Sequence, residues 1–290
     1  MDEPYLAAIR GEARDFKWML NRVGIPSYSS GFSSGEIYLE IYSDKIDAFS
    51  HSVSPKCAFC TFTDSYFDGI TLAEGSKVTA IINSQDVLAA LKTSEARDFV
   101  ELRFLEDGFE TDGTIHPHRA SILQLRNVLT HRIFCPVVSP DDLGEISRRF
   151  TADDTFLDAD GKKRAPIHIR IPADQMSWFT SIIDGDDDSI VYPLVVRDGK
   201  IEFTFFPEED SENWVHGELA VHSAEGPDVK QHYPKYLGMI FEKLNGDIEL
   251  YTDPKEGLLS IVNQEKMGST LRYVIPSVPI DIDDSPLKWV

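Results

Sequence analysis

The sequence predicts an α+β protein whose two halves repeat one architecture. The first observation is a change of period near the C-terminus, where the helical segment QHYPKYLGMIFEKLNG precedes the strand-like runs IELYTD, LLSIV and TLRYVIPSV. The second is that the two halves of the chain show a similar order of strands and helices, with little sequence identity between the halves. The third is the length of 290 residues, which suits one large or two medium domains. We therefore expect a duplicated fold.

The first half begins with the strand YLAAIRG and the helix EARDFKWMLNRV. Four apolar residues at helical spacing form the buried stripe of this helix: Phe16, Met19, Leu20 and Val23. The strands EIYLEIY, KIDAFSHSV, KCAFCTFTD and KVTAII follow, and the segment SQDVLAALK predicts a second helix. The strand FVELRFL and further strands up to Leu129 complete this half.

The second half begins with the strand HIRIPA, after which Pro172 opens a third helix, because proline is tolerated in a first turn. Its predicted core stripe consists of Met176, Phe179, Ile182 and Ile183. The strands SIVYPLVV, KIEFTFF and WVHGELAVH follow, the first two joined by an Asp-Gly turn. In the last helix, the predicted apolar stripe consists of Tyr236, Leu237, Ile240, Phe241 and Leu244.

Composition limits the function classes. The chain carries 28 basic and 49 acidic residues, a net charge of −21, whereas proteins that bind nucleic acid by surface contact neutralise phosphates with basic residues. The acid excess is also typical of salt-adapted proteins. No apolar run is long enough to span a membrane, and the acidic start MDEPYLAAIRGEARDF differs from a secretory signal. We expect an intracellular protein, cytoplasmic or nuclear, with no membrane partner.

No motif of the sequence specifies catalysis. Cys57 and Cys60 lie on a predicted strand, where positions i and i+3 point to opposite faces, and no second pair completes a metal site. The acidic run at 158–161 lacks the first and last ligands of a calcium loop. The runs at 184–188 and 116–118 are typical of solvated loops. We therefore expect no enzyme activity, no metal and no cofactor.

The segments LRYVIPSV, GITLAEGSKVTAIINSQDVLAALKTS and IPADQMSWFTSII stand in the order and spacing of one known family. They resemble, respectively, the closing strand, the strand with second helix, and the opening of the second domain in DNA sliding clamps of the proliferating cell nuclear antigen (PCNA) type. The resemblance covers residues 5–278. The chain departs from the family in a longer central segment and an additional tail.

The resemblance implies a two-domain DNA-clamp fold, with helices lining a central hole and antiparallel sheets outside. By position, the N-terminal clamp domain spans 1–129, an extended connecting segment 130–165, the C-terminal clamp domain 166–279 and an acidic tail 280–290. It also implies a ring, a homotrimer, in which the edge strands at 120–129 and 214–222 pair between subunits.

A closed ring holds duplex DNA by topology, so it needs basic residues only around its hole. The expected DNA-facing residues are the basic side chains on the polar sides and ends of the helices: Arg14, Lys17, Arg22, Lys92, Lys235 and Lys243. Each of them taken alone is also typical of an ordinary solvated helix face. The third helix, at 173–183, contributes no basic residue.

Partners of this family insert a short hydrophobic motif into a groove between the two domains. Carried over by position, the groove consists of His51, Phe59, Val137, Val138, Leu143, Leu258, Tyr273, Val274, Ile275 and Pro276. An apolar slot of this kind takes aromatic anchors. The resemblance therefore implies a polymerase processivity factor for replication and repair, with DNA polymerase, a clamp loader and a ligase or nuclease as partners.

Three alternatives remain open from the sequence. One is a checkpoint-type or viral clamp paralogue that assembles with different subunits into a hetero-ring. Another is a metal-dependent hydrolase that uses the acidic loops. The third is an interaction scaffold that shares the fold without closing into a ring.

Overall fold

The computed structural model describes residues 4–23, 35–51, 57–105, 119–135, 167–183, 191–205, 215–234, 237–253, 257–264 and 269–277. The first half contains β1 (Ala7–Glu12), α1 (Ala13–Val23), β2 (Glu36–Ile41), β3 (Lys45–His51), β4 (Cys57–Thr63), β5 (Gly69–Leu72), β6 (Val78–Asn83), α2 (Ser84–Leu91), β7 (Phe99–Leu105), β8 (Ile122–Arg126) and β9 (Thr130–Phe134).

The second half contains β10 (Ile167–Pro172), α3 (Ala173–Ile183), β11 (Val191–Arg197), β12 (Lys200–Phe205), β13 (Val215–Leu219), β14 (Ser223–Glu225), β15 (Val229–Pro234), α4 (Leu237–Phe241), β16 (Asp247–Asp253), β17 (Leu258–Gln264) and β18 (Thr270–Pro276). Contacts divide the chain into two compact units, Met1–Ser147 with Gln264–Leu271, and Arg148–Asn263 with Arg272–Val290.

The first unit is built from two sets of antiparallel strands, ordered β5-β1-β7-β8-β9 and β6-β2-β3-β4. Helix α1 packs against β1, β3 and β4 and also touches α2. Its buried residues Phe16, Met19, Leu20 and Val23 are the predicted stripe. At the start of α2, the side chain of Asn83 accepts a hydrogen bond from the backbone N–H of Gln85 at 2.9 Å. A cap of this kind contributes about 1 kcal/mol.

The second unit repeats this plan, with strands ordered β14-β10-β16-β17-β18 and β13-β12-β11-β15. Strands β1 and β10 each have 6 residues. Helices α1 and α3 follow these strands directly and each have 11 residues. Met176 and Phe179 of the predicted stripe are buried, while the side chains of Ile182 and Ile183 lie outside the described part of the chain. The α+β class and the duplicated architecture are therefore confirmed.

The predicted start of the last helix is wrong. Residues 231–234 belong to β15, which pairs with β11, and among the described residues the helix spans Leu237–Phe241. Along β15 the residues Val229, Gln231 and Tyr233 are buried, and the residues between them are more exposed. This alternation of buried and more exposed side chains is typical of a strand, and Gln231 occupies one of the buried positions. Four residues of the predicted stripe are buried as expected, namely Leu237, Ile240, Phe241 and Leu244, and Tyr236 lies outside the described residues.

The first sheet continues past residue 129. Thr130–Phe134 form β9, which pairs with β8 from Thr130 to Phe134 and is the last strand of its sheet among the described residues. Strand β8, at 122–126, lies between β7 and β9, so the expected edge strand at 120–129 is an interior strand. The connection between β8 and β9 is a short turn at Asn127, whose backbone N–H donates to the Leu129 carbonyl at 2.9 Å.

Candidate functional site

The candidate DNA-facing residues of α1 lie on its polar side, but their charges have close acidic neighbours. Arg14 is exposed, and its Nε lies 2.6 Å from Glu12 Oε2 and 3.8 Å from Asp15 Oδ1. Burial raises the pKa of Asp15 more than the nearby Arg14 lowers it. The positive potential around Arg14 is therefore partly compensated by acidic residues at the end of β1 and in the first turn of α1.

Lys17 connects α1 to the segment that follows α2. Its Nζ donates a hydrogen bond to the Ser94 carbonyl at 2.8 Å. Lys92, the exposed residue directly after α2, lies two positions before that carbonyl, and its own N–H donates to the Ala89 carbonyl at 3.3 Å. Two of the predicted basic residues, from different helices, are therefore brought to neighbouring positions.

The sequence interpretation missed Trp18 as a neighbour of the basic residues. The guanidinium of Arg22 lies over the indole ring of Trp18, 5.2 Å from its centroid. Arg14, Trp18 and Arg22 are spaced at i, i+4 and i+8, so they follow one another along one side of α1. This spacing is visible in the sequence, and it identifies Trp18 as a neighbour of the two arginines.

The second unit contributes less positive charge. Lys243 follows α4 and is partly exposed, and its N–H donates to the Ile240 carbonyl at 3.0 Å. Lys235 lies outside the described residues. In α3 the charged residue is Asp174, so this helix presents no base, as the sequence indicated.

The candidate groove residues of the first unit are placed by their strands. His51 pairs with Cys57, and Phe59 pairs with Phe49, in the β3–β4 ladder. The side chains of His51 and Phe59 are outside the described part of the chain, as are the whole residues Val137, Val138 and Leu143.

The candidate groove residues of the second unit differ in how deeply they are buried. Leu258 is partly buried and packs against Tyr251 and Val262. Tyr273, Val274 and Ile275 are core residues, with 1 %, 2 % and 1 % of their surface exposed. Pro276 ends β18, and its side chain is not described. Among the groove candidates of this unit whose side chains are described, Leu258 is therefore the one with exposed apolar surface.

The described residues show no cluster of side chains that could hold a metal ion. Among them, no group of three or more His, Cys, Asp or Glu side chains is placed to hold a metal ion. Cys60 and Cys135 are buried and not in disulfides, and burial raises the pKa of Cys135 to about 12, which keeps its thiol protonated and unreactive at neutral pH. The runs at 116–118, 158–161 and 184–188 lie outside the described residues. No helix in the described ranges has the length and apolarity to cross a membrane.

A cleft of about 430 Å³ lies in the second unit between the start of α3 and the end of α4. Its acidic lining residues are Asp174, Glu242 and Asp247. Asp247 accepts from His222 Nε2 at 3.1 Å and from Arg170 Nη2 at 2.9 Å, and these two hydrogen bonds hold its pKa below the usual value. The Asp247 carboxylate is thus hydrogen-bonded to side chains of the neighbouring strand β10 and of the segment before β14.

A second group that sequence analysis missed is a set of arginines on one sheet face of the first unit. Arg10 Nε donates to Glu101 Oε1 at 2.7 Å, and Arg103 Nε donates to Glu101 Oε2 at 2.6 Å. Arg126 Nη1 lies 3.6 Å from the same carboxylate. The period-2 spacing of Glu101 and Arg103 in FVELRFL placed them on one face, but the strand pairing that brings in Arg10 and Arg126 was not readable from the sequence.

Comparison with known proteins identifies the class of fold. No protein-family model matches the chain, and no curated protein matches it. Solved structures do match over almost the whole length, and they are subunits of sliding clamps.

Two of these structures are informative. The PCNA of A. fulgidus, solved with the C-terminal region of FEN-1 bound, superposes with a TM-score of 0.67 at 9 % identity, covering 95 % of this chain and 99 % of that one. The PCNA2–PCNA3 complex from Sulfolobus tokodaii gives a TM-score of 0.60 at 14 % identity, covering 93 % and 98 %. The chain therefore has the PCNA-like sliding-clamp fold.

Proposed function

We propose that this chain is a sliding-clamp subunit that encircles duplex DNA and acts as a polymerase processivity factor. The observation that carries the proposal is the match to clamp subunits over 95 % of this chain and 99 % of the other. The work proposed is mechanical tethering without catalysis and without a cofactor. The direct test is polymerase extension on a primed circular template, where the loaded clamp is expected to lengthen the products made in one binding event.

The proposed ring is a homotrimer that closes through sheet edges. Among the described strands, β9 ends the five-stranded sheet and β13 ends the four-stranded one. An edge strand presents unpaired backbone groups that a second chain is able to pair. Phe134 of β9 is 80 % exposed and offers apolar surface for such a contact. Light scattering is expected to report about three times the chain mass of 32.7 kDa.

A hetero-ring is the second candidate. The observation that favours it is that one of the similar structures is a complex of two different clamp chains, PCNA2 and PCNA3. In that case this chain alone stays below the trimer mass, and the larger species appears only when a paralogue is added. The same light-scattering measurement therefore decides between the two assemblies.

The proposed inner wall carries the basic residues of the helices. These are Arg14, Lys17, Arg22, Lys92, Lys235 and Lys243. Because the ring retains DNA by topology, a few phosphate contacts are sufficient despite the net charge of −21. Retention on circular DNA, followed by release after linearisation, tests this arrangement.

The proposed partner groove recruits polymerase, clamp loader, ligase or nuclease through a hydrophobic peptide. Its proposed lining is His51, Phe59, Val137, Val138, Leu143, Leu258, Tyr273, Val274, Ile275 and Pro276. Support comes from the similar PCNA structure, which was solved with a C-terminal region of FEN-1 bound. Calorimetric titration with a clamp-binding peptide tests it.

A further inference from the structure

The described part of the chain ends beside the exposed groove candidate of the second unit. The backbone N–H of Ser277, the last described residue, donates a hydrogen bond to the Gly257 carbonyl at 2.6 Å. A Cβ built on Gly257 would lie 2.6 Å from the hydroxyl oxygen of Ser277, so the two residues approach each other closely. Leu258 directly follows Gly257 and is the first residue of β17. The chain therefore passes out of the described part next to Leu258.

Leu258 offers apolar surface on one face of its sheet. Strand pairing places Tyr251 opposite Ser260, and Leu258 and Val262 lie two positions to either side of Ser260, so these side chains share a face. Leu258 packs against Tyr251 and Val262, which are 7 % and 1 % exposed. We call these three residues, Tyr251, Leu258 and Val262, the Leu258 patch. Its partly exposed leucine on a buried floor suits an apolar anchor.

The sequence beyond Ser277 supplies anchors of this kind. The acidic tail at 280–290 reads IDIDDSPLKWV, in which one lysine separates Leu287 from Trp289. Residues two apart in an extended segment point to the same side, so this spacing allows both side chains to contact one surface. Tryptophan is also among the residues most enriched at binding hot spots. The tail thus combines an acidic first part with an apolar end.

The connection between the patch and these anchors has a suitable length. Nine residues, 278–286, separate Ser277 from Leu287. A flexible chain of this length has a root-mean-square end-to-end distance of about 15 to 18 Å. Neighbouring strands are about 4.8 Å apart, which places Leu258 within about 10 Å of Ser277. A tether of this length gives an effective concentration in the millimolar range, so a contact that is weak between separate molecules becomes favourable within one chain.

We propose that the tail is a built-in ligand of the chain's own partner groove, with Leu287 and Trp289 packed on the Leu258 patch. The bound tail occupies the apolar surface that the proposed partner peptide needs. A partner must therefore displace the tail, and peptides with weaker apolar anchors are excluded. The effect on partners rests on the proposed function, whereas the contact between the tail and Leu258 does not.

Fluorine NMR of the full chain labelled with 5-fluorotryptophan tests the contact itself. The chain has four tryptophans, and the variant Trp289→Phe identifies the resonance of Trp289. We expect this resonance to differ from that of a synthetic peptide of residues 278–290, and Leu258→Asp to move it to the peptide position, because the anchor loses its apolar surface. A Trp289 resonance that coincides with the peptide in the unaltered protein would overturn the proposal. A shift that grows with protein concentration would assign the tail to a second copy of the chain and would also overturn it.

Competition with a partner peptide provides a second test, and it still decides if Leu258→Asp fails to fold. The variant Leu287→Ser/Trp289→Ser removes both anchors from the full chain without altering any described residue. We expect it to bind a fluorescein-labelled peptide of the C-terminal region of FEN-1 about fivefold more tightly in fluorescence anisotropy, because the tethered competitor is gone. The matched control, Asp284→Ser/Lys288→Ser, also makes two changes to serine, keeps the net charge and is expected to leave the affinity unchanged.

The two measurements separate this inference from the proposed function. If the FEN-1 peptide binds the unaltered chain and the anchor variant equally well, the groove recruits partners but the tail does not occupy it, and the inference is wrong. Equal gains in the control and in the anchor variant would overturn it too, since they report a general effect of altering the tail. If the FEN-1 peptide binds neither protein while the Trp289 resonance still depends on Leu258, the tail contact stands and the proposed recruitment of partners fails.

Discussion

Arg10 and Glu101 form a salt bridge of 2.7 Å although they are 91 residues apart in the sequence. The bridge joins β1 to β7, and Arg103 holds the other oxygen of the same carboxylate at 2.6 Å. Burial by itself would raise the pKa of Glu101, but the hydrogen bonds from the two arginines outweigh it and lower the pKa below its usual value. One nearly buried carboxylate thus organises the centre of the first sheet.

We expect Glu101→Gln to lower the free energy of unfolding by about 3 kcal/mol, because removing one partner leaves buried guanidinium charge uncompensated. The native pKa of Glu101 is depressed, so its contribution is fully present above the unfolded value of about 4.3 and is lost as the pH falls through the native pKa. Urea unfolding at pH 7 and at about pH 3 measures both effects. The exposed Glu95→Gln is the control. A difference that stays constant down to pH 3 would contradict the ionic role of Glu101.

Much of the fold was predictable because the two halves repeat their helical pattern. Trp18 and Trp178 are each the sixth residue of an 11-residue helix that directly follows a strand. The apolar positions of both helices also coincide, as with Phe16 and Met176, so helical periodicity alone located them. The strands with plain alternation or continuous apolar runs, such as β16 and β17, were found in the same way.

The errors have physical causes. In β15 the buried Gln231 hydrogen-bonds Tyr233, whose hydroxyl donates to it at 2.7 Å, so a polar residue occupies a core position and hides the strand period. The strand β9 has no fully buried residue, which removes the apolar signal that marks other strands. For the candidate sites, the sequence identified the basic residues of the helices. It did not identify the groups that they contact, namely Glu12 beside Arg14 and the Ser94 carbonyl beside Lys17. These partners depend on geometry that the spacing of residues does not fix.

We expect Phe134→Asp to reduce the trimer if β9 closes the ring. The side chain is 80 % exposed in the single chain, so the substitution costs little folding energy but places a charge in the proposed contact. Phe99→Asp, at a 57 % exposed position on β7 of the same sheet, is the matched control and is expected to leave the mass unchanged. Light scattering at micromolar protein measures both. A stable trimer in the Phe134 variant would move the interface away from this end of β9.

Charge reversal on the helices is expected to weaken DNA retention without breaking the ring. Arg14→Glu/Lys92→Glu alters two exposed positions and spares the hydrogen bond from Lys17 to Ser94. The slope of log affinity against log salt is expected to fall by about 0.9 for each phosphate contact that is lost. Arg197→Glu/Lys230→Glu, at two exposed positions of the second unit, controls for net charge. If both variants retain circular DNA equally well, the inner wall does not include Arg14 and Lys92.

The last prediction concerns the peptide groove and uses Leu258. Ile275 is only 1 % exposed, so a charge there would disrupt the core and confuse binding with unfolding. Leu258 is partly exposed and packs against Tyr251 and Val262. An aromatic anchor of a partner peptide would bury about 150 to 250 Å² against such a surface. At about 25 cal/mol per Å², that burial favours binding by several kcal/mol before ordering costs.

We therefore expect Leu258→Asp to weaken a clamp-binding peptide at least tenfold, or about 1.4 kcal/mol, in calorimetric titration. The trimer mass and the melting temperature are expected to change little, because the leucine is at the start of β17 and only partly buried. Phe99→Asp serves again as the control for a new surface charge, and a peptide with its aromatic residues replaced by alanine controls for the anchor. Equal affinity of the Leu258 variant and the unaltered protein would place the recruiting surface elsewhere on the clamp, whereas loss of binding in both variants would point to long-range charge rather than an apolar slot.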